Sequence, residues 1–400
     1  MRQINLPLFS RIESIMLGRT TRSWPLLRHA LSLLSAGYGL AAQKRRRRIE
    51  LKQQMVQKLP CPVISVGNIT LGGTGKSPMT VYIARLLQRQ GFRPAVLSRG
   101  YLGGAEKSGG VVSDGVNILL DADMAGDEPL MMAQQLKGVP VLVGKDRYRS
   151  GMKAIQAFSS TVLVLDDAFQ HLRLFRDVNL VLLDDEQPFG NGWVVPAGPL
   201  REPVSALRAA DAILLTRCKM GAAPQSTRPA GIPPEMPIFR SYHRASIRRV
   251  QPAEKNQTIQ AKWFSIPPAQ NIDLSACRMF AFSGIARNAD FRKSIQDMGC
   301  QPVGFLEYSD HHHYSPTDIE YIVRNAVDHQ ADMLVTTEKD ACRLAGRFDW
   351  PLPMGIVGID IALPEPDATA FSSFLQDRLA SSLKFSSHIG RTDIHDAISS

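Results

Sequence analysis

One stretch constrains the fold of this chain more than any other. Pro62-Val-Ile-Ser-Val-Gly67 is a short apolar run closing on glycine, as a strand buried in a parallel sheet does. Asn68-Ile-Thr-Leu-Gly-Gly-Thr-Gly-Lys-Ser77 follows directly. From Pro78 to Arg89, apolar Val81, Ile83, Ala84, Leu86 and Leu87 suit the inner side of a helix. Strand, glycine-rich turn, Gly-Lys-Ser and helix in that order form a phosphate cradle. The glycines let backbone N–H groups approach phosphate oxygens, and the helix N-terminus adds positive potential. Gly72, Gly73, Thr74, Gly75, Lys76 and Ser77 are therefore expected around nucleotide phosphates. The Lys76 ammonium would reach the β- and γ-phosphates and the Ser77 hydroxyl would bind Mg²⁺. The strict spacing asks for glycine at position 70, where this chain has Thr70, and Gly72 and Gly73 provide the flexibility instead.

A second apolar strand, Thr161 to Leu165, ends in Asp166-Asp167, as a metal-directed carboxylate beside a phosphate loop does. A solvated strand end is the plainer alternative; the neighbouring cradle favours the metal. Further strand-like runs at 95–98, 139–143, 178–183 and 213–216 are separated by helical patterns such as Arg147–Phe158. That alternation predicts an α/β fold, a doubly wound, mostly parallel sheet of the P-loop NTPase type. With 400 residues, the chain is long enough for a second, smaller α/β domain. The expected division is a leader (1–58), a phosphate-binding domain (59–220), a variable link (221–275), a smaller C-terminal α/β domain (276–383) and a polar, frayed tail (384–400).

The formal net charge of +10 is not spread over the surface. Residues 1–60 contain twelve Lys or Arg and two acids, so the whole excess lies in the leader. That argues against a nucleic-acid-binding body and for an anionic surface met by one end of the chain. Ala30 to Ala42 is an apolar and small-residue run of 13, shorter than the roughly 20 residues of a membrane span. It reads as a helix lying in the membrane interface, with Trp24 and Tyr38 at headgroup level and the basic run Lys44–Arg48 beside it. Each charge in such a run gains about 1 kcal/mol from anionic lipid. An ordinary amphipathic helix packed on the body is the alternative.

Taken in order, Val66 to Pro78, Ser98-Arg-Gly-Tyr101, Gly126-Asp-Glu-Pro129, Asp166-Asp-Ala-Phe-Gln-His171, Pro196-Ala-Gly-Pro-Leu-Arg-Glu-Pro203, Phe282-Ser-Gly-Ile285, Tyr308-Ser-Asp-His311 and Thr336-Thr-Glu-Lys-Asp340 resemble the tetraacyldisaccharide 4'-kinases of lipid A biosynthesis. The resemblance runs from about residue 10 to residue 375. The family usually has glycine after the paired aspartates, where this chain has Ala168. The resemblance implies ATP and Mg²⁺ as cosubstrate and metal, and a tetraacyl glucosamine disaccharide 1-phosphate as acceptor, phosphorylated on its 4' hydroxyl. It also implies a two-domain body with a β-ribbon linker, at the cytoplasmic face of the bacterial inner membrane.

Asp127 matches the family's catalytic acid and His311 the histidine that supports it. The two are expected in different domains. Glu202 and Arg201 look metal- or phosphate-proximal, so the metal set implied is Ser77, Asp166, Asp167 and Glu202. Arg99 and Tyr101 are candidates for nucleotide or acceptor contact. Gln170 and His171 are read as braces for the aspartate loop. Glu338 to Asp340 either close the site or cap a helix. His311 to His313 are consecutive, and neighbours do not turn easily to one ion. The alternative function is a membrane-associated GTPase or ATPase switch or targeting protein; no Asn-Lys-x-Asp guanine motif is present.

Overall fold

The computed structural model describes residues 25–52, 56–219, 228–251, 264–265 and 277–396, together with Met16. Trp24 and most of the expected link lie outside them. In chain order the first elements are α1 (Pro25–Leu51), β1 (Val63–Asn68), α2 (Lys76–Arg89), β2 (Pro94–Ser98) and β3 (Gly110–Ser113). Next come α3 (Ala122–Ala125), α4 (Asp127–Gln135), β4 (Val141–Val143), α5 (Arg147–Phe158), β5 (Val162–Asp166), β6 (Val178–Asp184) and β7 (Ala212–Thr216). Then follow β8 (Ile238–Arg240), β9 (Tyr242–Gln251), β10 (Phe264–Ser265), β11 (Met279–Ser283), α6 (Asn288–Asp297) and β12 (Gly304–Glu307). The last are α7 (Pro316–Asp328), β13 (Met333–Thr337), α8 (Glu338–Leu344), β14 (Met354–Ala362) and α9 (Asp367–Asp396).

The described residues form two compact units. One draws on 1–99, 146–242 and 362–400, the other on 100–145 and 243–361. This differs from the contiguous division expected from the sequence. Segment 100–145 groups with the later part of the chain because its helix α4 packs on α8. The expected frayed tail also differs: α9 continues to Asp396, with no proline in its span to stop it.

In the first unit the strand order is β2-β5-β1-β6-β7-β8, and every recorded pairing among these strands is parallel. From β1 the chain crosses to β2 on one side, returns through β5 beside β1 and then runs through β6, β7 and β8 on the other, so the loop after β1 lies at the topological switch point, where open sheets of this kind bind ligands. β1, β2 and β5 are buried throughout, and α2 packs over all three. Ile69, Phe169, Leu183, Leu200 and Leu215 are among the residues of its core beneath that end of the sheet. Burying such side chains stabilises by about 1.5–3 kcal/mol each.

Helix α1 belongs to this unit. Leu31, Ser35, Gly39 and Arg46 are its buried residues, spaced to lie on one face. The Ser35 hydroxyl donates to Val194 O at 2.7 Å and accepts from Ala197 N at 2.8 Å. On the other side Leu26 (87%), Leu33 (76%) and Leu40 (60%) are exposed. Among the described residues no helix is long and apolar enough to cross a membrane.

In the second unit, the sheet has the order β10-β9-β14-β13-β11-β12. β11, β12, β13 and β14 pair in parallel, and β10 pairs antiparallel with β9. β9 and β14, the strands along which the chain enters and leaves this sheet, are neighbours. Phe280, Phe282, Tyr314, Ile322, Leu334 and Trp350 fill its core, with the Phe282 and Trp350 rings stacked at 5.9 Å. β3 and β4 pair antiparallel.

Candidate active site

The glycine-rich turn leaves β1 at Asn68 and enters α2 at Lys76. Gly72 and Gly75 both take positive φ, 94° and 83°, a conformation that side chains disfavour. Gly75 caps α2 with no side chain of its own, so the first-turn amides of the helix face the turn uncapped by it. That is the geometry of an anion cradle. The turn is braced from several sides. The Asn68 amide donates to Thr74 Oγ1 (2.9 Å) and Thr70 Oγ1 (3.3 Å), which gives the threonine at the unusual position a structural use. Thr216 Oγ1 donates to Thr74 O at 3.1 Å, and Gln170 Nε2 to Asn68 O at 2.8 Å. Arg217 bridges Gly73 O and Asp184.

Asp166 ends β5, in register with Val66 of β1. It is buried, with Oδ1 accepting from Thr80 Oγ1 at 3.2 Å and Oδ2 from Ser98 Oγ at 3.3 Å. Ser77 is buried in the first turn of α2. A hydroxyl and a carboxylate at the carboxyl ends of adjacent strands are hard oxygen donors of the kind Mg²⁺ takes alongside phosphate, so these two residues fit that ion.

The neighbouring carboxylates are arranged otherwise. Asp167 has φ 46°, a left-handed backbone that swings it away from the strand line. Arg201 Nη1 lies 2.9 Å from each of its oxygens, and Lys76 Nζ 3.8 Å from Oδ1. Burial alone would raise the Asp167 carboxyl, but Lys76 and Arg201 outweigh it and hold the group below the usual carboxylate range. Glu202, expected at the metal, instead accepts from Arg46 Nε (2.8 Å) and Nη2 (2.9 Å), one donor on each oxygen. Two of the four carboxylate and hydroxyl groups implied for the metal thus face cationic side chains. No group of three or more metal-binding side chains of the His, Cys, Asp and Glu types occurs among the described residues. Burial and the Arg147 charge push the His171 imidazole down to about 4, so it stays neutral in its loop.

The second unit holds a separate cluster. Asp127 is the first residue of α4, with Gly126 before it at φ 85°. Its Oδ1 accepts from Glu128 N at 2.9 Å. Its Oδ2 meets His311 Nδ1 at 3.2 Å and accepts from Arg343 Nε at 3.1 Å and Nη2 at 2.5 Å. Arg343 is fixed in turn: Nη1 donates to Asp340 Oδ1 and Gly284 O, both at 2.9 Å. Asp340 is buried among Tyr314 Oη (2.9 Å), Thr337 Oγ1 (2.6 Å) and Gly284 N (3.1 Å). Lys339 pairs with Glu128. Burial opposes ionisation of Asp127, yet His311, Lys339 and Arg343 together hold its carboxyl well below the usual range. The bond to Asp127 raises the His311 imidazole. His311 has φ 57°, and the Tyr101 ring meets it edge-on at 6.0 Å. His312 turns elsewhere, to Asp318 at 3.2 Å and against the Tyr308 ring.

Residues 27–380 match the family described as tetraacyldisaccharide-1-P 4'-kinase. The chain belongs to that family. It is 42% identical to the tetraacyldisaccharide 4'-kinase of Syntrophus aciditrophicus over 308 residues, 76% of this chain and 81% of that one. It is 39% identical to the enzyme of that name from Desulfatibacillum aliphaticivorans over 373 residues, 92% of this chain and 97% of the relative. The structure of LpxK from Aquifex aeolicus in complex with ATP superposes with a TM-score of 0.69 at 28% identity, covering 88% of this chain and 99% of that one.

For a tetraacyldisaccharide 4'-kinase, the phosphate loop was legible because it is contiguous. The placement of Asp127 and His311 in different domains was not correct: both lie in the second unit and touch there. Arg343 was missed. Its signal was the i, i+3 spacing from Asp340 on a helix capped by Thr337, whose hydroxyl accepts from Asp340 N at 3.1 Å. That cap is one of the two readings open for residues 338–340. Gln170, read from the sequence as a brace for the aspartate loop, donates to Asn68 O at the end of β1, and Arg201 sits on Asp167.

Proposed function

We propose that this kinase transfers the γ-phosphoryl group of ATP to the 4' hydroxyl of a tetraacyl glucosamine disaccharide 1-phosphate, a step of lipid A biosynthesis. The observation that carries the reading is the Gly-Lys-Ser turn at the carboxyl end of β1 beside Asp166, in a chain of this family. The Lys76 ammonium, steadied by Asp167, neutralises charge on the β- and γ-phosphates as the bond breaks. Ser77 and Asp166 would hold Mg²⁺, whose charge offsets that of the phosphate oxygens.

The acceptor hydroxyl is assigned to Asp127. A carboxylate held this far below its usual range is a weak base, but it accepts a hydrogen bond and orients the hydroxyl. In a loose phosphoryl-transfer transition state the attacking oxygen needs little deprotonation beforehand, so orientation is the larger contribution. His311 and Arg343 fix the carboxylate.

The acylated acceptor and the exposed leucines of α1 favour a site of action at an anionic membrane surface, the cytoplasmic face of the inner membrane. Leu26, Leu33 and Leu40 recur every seven residues on the side away from the body, and Lys44, Arg45, Arg47 and Arg48 are exposed. The test is [γ-³²P]ATP with the disaccharide 1-phosphate and chromatography of the lipid product. Label in a bis-phosphorylated lipid is expected; ATP turnover with no label transferred would favour a switch ATPase instead.

A further inference from the structure

Among the five basic residues 44–48, Arg46 alone is buried. Its guanidinium points into the first unit, where it binds both oxygens of buried Glu202 at 2.8 and 2.9 Å. Nη2 also approaches Phe169 O at 3.4 Å, and the guanidinium lies 4.6 Å from the centre of the Phe169 ring. Both partners adjoin the phosphate site. Phe169 stands two residues after Asp167. Glu202 directly follows Arg201, the residue that grips Asp167. The segment before Glu202 is clasped to the phosphate turn by two backbone bonds, Leu71 N to Pro199 O and Arg201 N to Ile69 O, each 2.6 Å.

We infer that Arg46 is a positioning residue for phosphoryl transfer: from the leader helix, through Glu202 and Phe169, it holds Arg201 and the Asp166–Asp167 loop in register with Lys76. The inference rests on the kinase reading above. A buried carboxylate that loses its bidentate partner keeps only the longer-range charge of Arg176 and shifts from its place. Glu202 directly follows Arg201, so a shift of the backbone at Glu202 also displaces Arg201, whose N donates to Ile69 O. Asp167 would then lose its bidentate contact with Arg201, and its position beside Lys76 would no longer be fixed. On this account α1 is part of the transfer machinery as well as a membrane contact, and the body without it is incomplete even for a dispersed acceptor. A merely stabilising pair would hold α1 to the body and do nothing more.

The experiment uses the full chain with Arg46→Ala and Arg46→Lys, assayed on detergent-dispersed disaccharide 1-phosphate, with hydrogen exchange followed by mass spectrometry. Arg46→Ala is expected to lower kcat at least tenfold while the KM for ATP stays within threefold, and Arg46→Lys to recover part of the loss. Vesicle flotation should match the parent, since Arg46 is not on the lipid side. Exchange should rise in residues 166–169 and 199–202. A folded Arg46→Ala with kcat within twofold of the parent, or with faster exchange confined to α1, overturns the inference. If Arg46→Ala does not fold, Arg46→Met/Glu202→Gln removes the pair without stranding a charge and is read by the same criteria. If the parent itself transfers no phosphoryl group, the functional reading fails, and the exchange pattern still decides whether Arg46 clamps the loop.

Discussion

His311 Nδ1 stands 3.2 Å from Asp127 Oδ2, and the two residues belong to one compact unit. The same oxygen takes both Nε and Nη2 of Arg343. The carboxylate is therefore positioned before any substrate arrives, and no domain movement is needed to make the pair.

Removing either member should lower kcat more than it raises the KM for ATP. Asp127→Ala is expected to cost about 10²-fold or more, the order lost when the group that orients a reacting atom is removed. His311→Ala should cost less, because Arg343 still holds the carboxylate. The double variant should be no slower than Asp127→Ala alone, since a pair acting together fails once. Small, additive losses in a double-mutant cycle would remove the pair from the chemistry.

The pair should also leave a pH signature. Its hydrogen bond with Asp127 raises His311 above its ordinary 6.5. The stability this gives is complete below 6.5 and is lost as pH rises through the higher folded value. Asp127 is lowered from 3.8, so its contribution is present above 3.8 and lost only as pH falls through the lower folded value. The Tm difference between parent and His311→Gln should thus be largest at mildly acidic pH and shrink on the alkaline side. A difference that stays constant to pH 9 contradicts this.

At the phosphate turn, Lys76→Ala should remove about 3–4 kcal/mol of transition-state stabilisation. Asp166→Asn should shift the Mg²⁺ titration of activity upward, while Thr80 and Ser98 can still pair with the amide, one hydroxyl donating to its oxygen and the other accepting from its NH₂, and preserve the fold. An unchanged Mg²⁺ titration in a folded Asp166→Asn would place the metal elsewhere.

Gly67 has no room for a side chain. A Cβ there would lie 2.6 Å from Phe169 Cβ and 2.7 Å from Phe169 N. Gly67→Ala should destabilise by about 1–3 kcal/mol by overpacking, read as a lower midpoint in urea. An unaltered midpoint would mean the aspartate loop yields easily.

Leu33→Glu/Leu40→Glu should reduce vesicle flotation without altering the melting curve, because both side chains are largely exposed. Parent flotation should weaken as salt rises, exposed charges being screened over about 8 Å at physiological ionic strength. Undiminished binding by the double variant would place the membrane contact on another surface.

Much of the Gly-Lys-Ser turn and its setting could be read from the chain alone. The turn from Asn68 to Ser77, its flanking strand and helix, and the aspartates closing β5 are each local patterns, encoded within a few residues by backbone freedom and apolar spacing. Even so, the role of Asp167 was not readable: the sequence showed two equivalent carboxylates, and a left-handed backbone sent one of them to Arg201 and Lys76. The grouping of 100–145 with 243–361 was decided by the packing of α4 on α8, which also brought Arg343 to Asp127 from 216 positions away. Arg46 makes the same point from the other end. Nothing local distinguishes it within a run of four arginines. A helix turns about 100° per residue, and only the docking of Leu31, Ser35 and Gly39 set the phase that sends this one arginine inward, to a carboxylate 156 positions away.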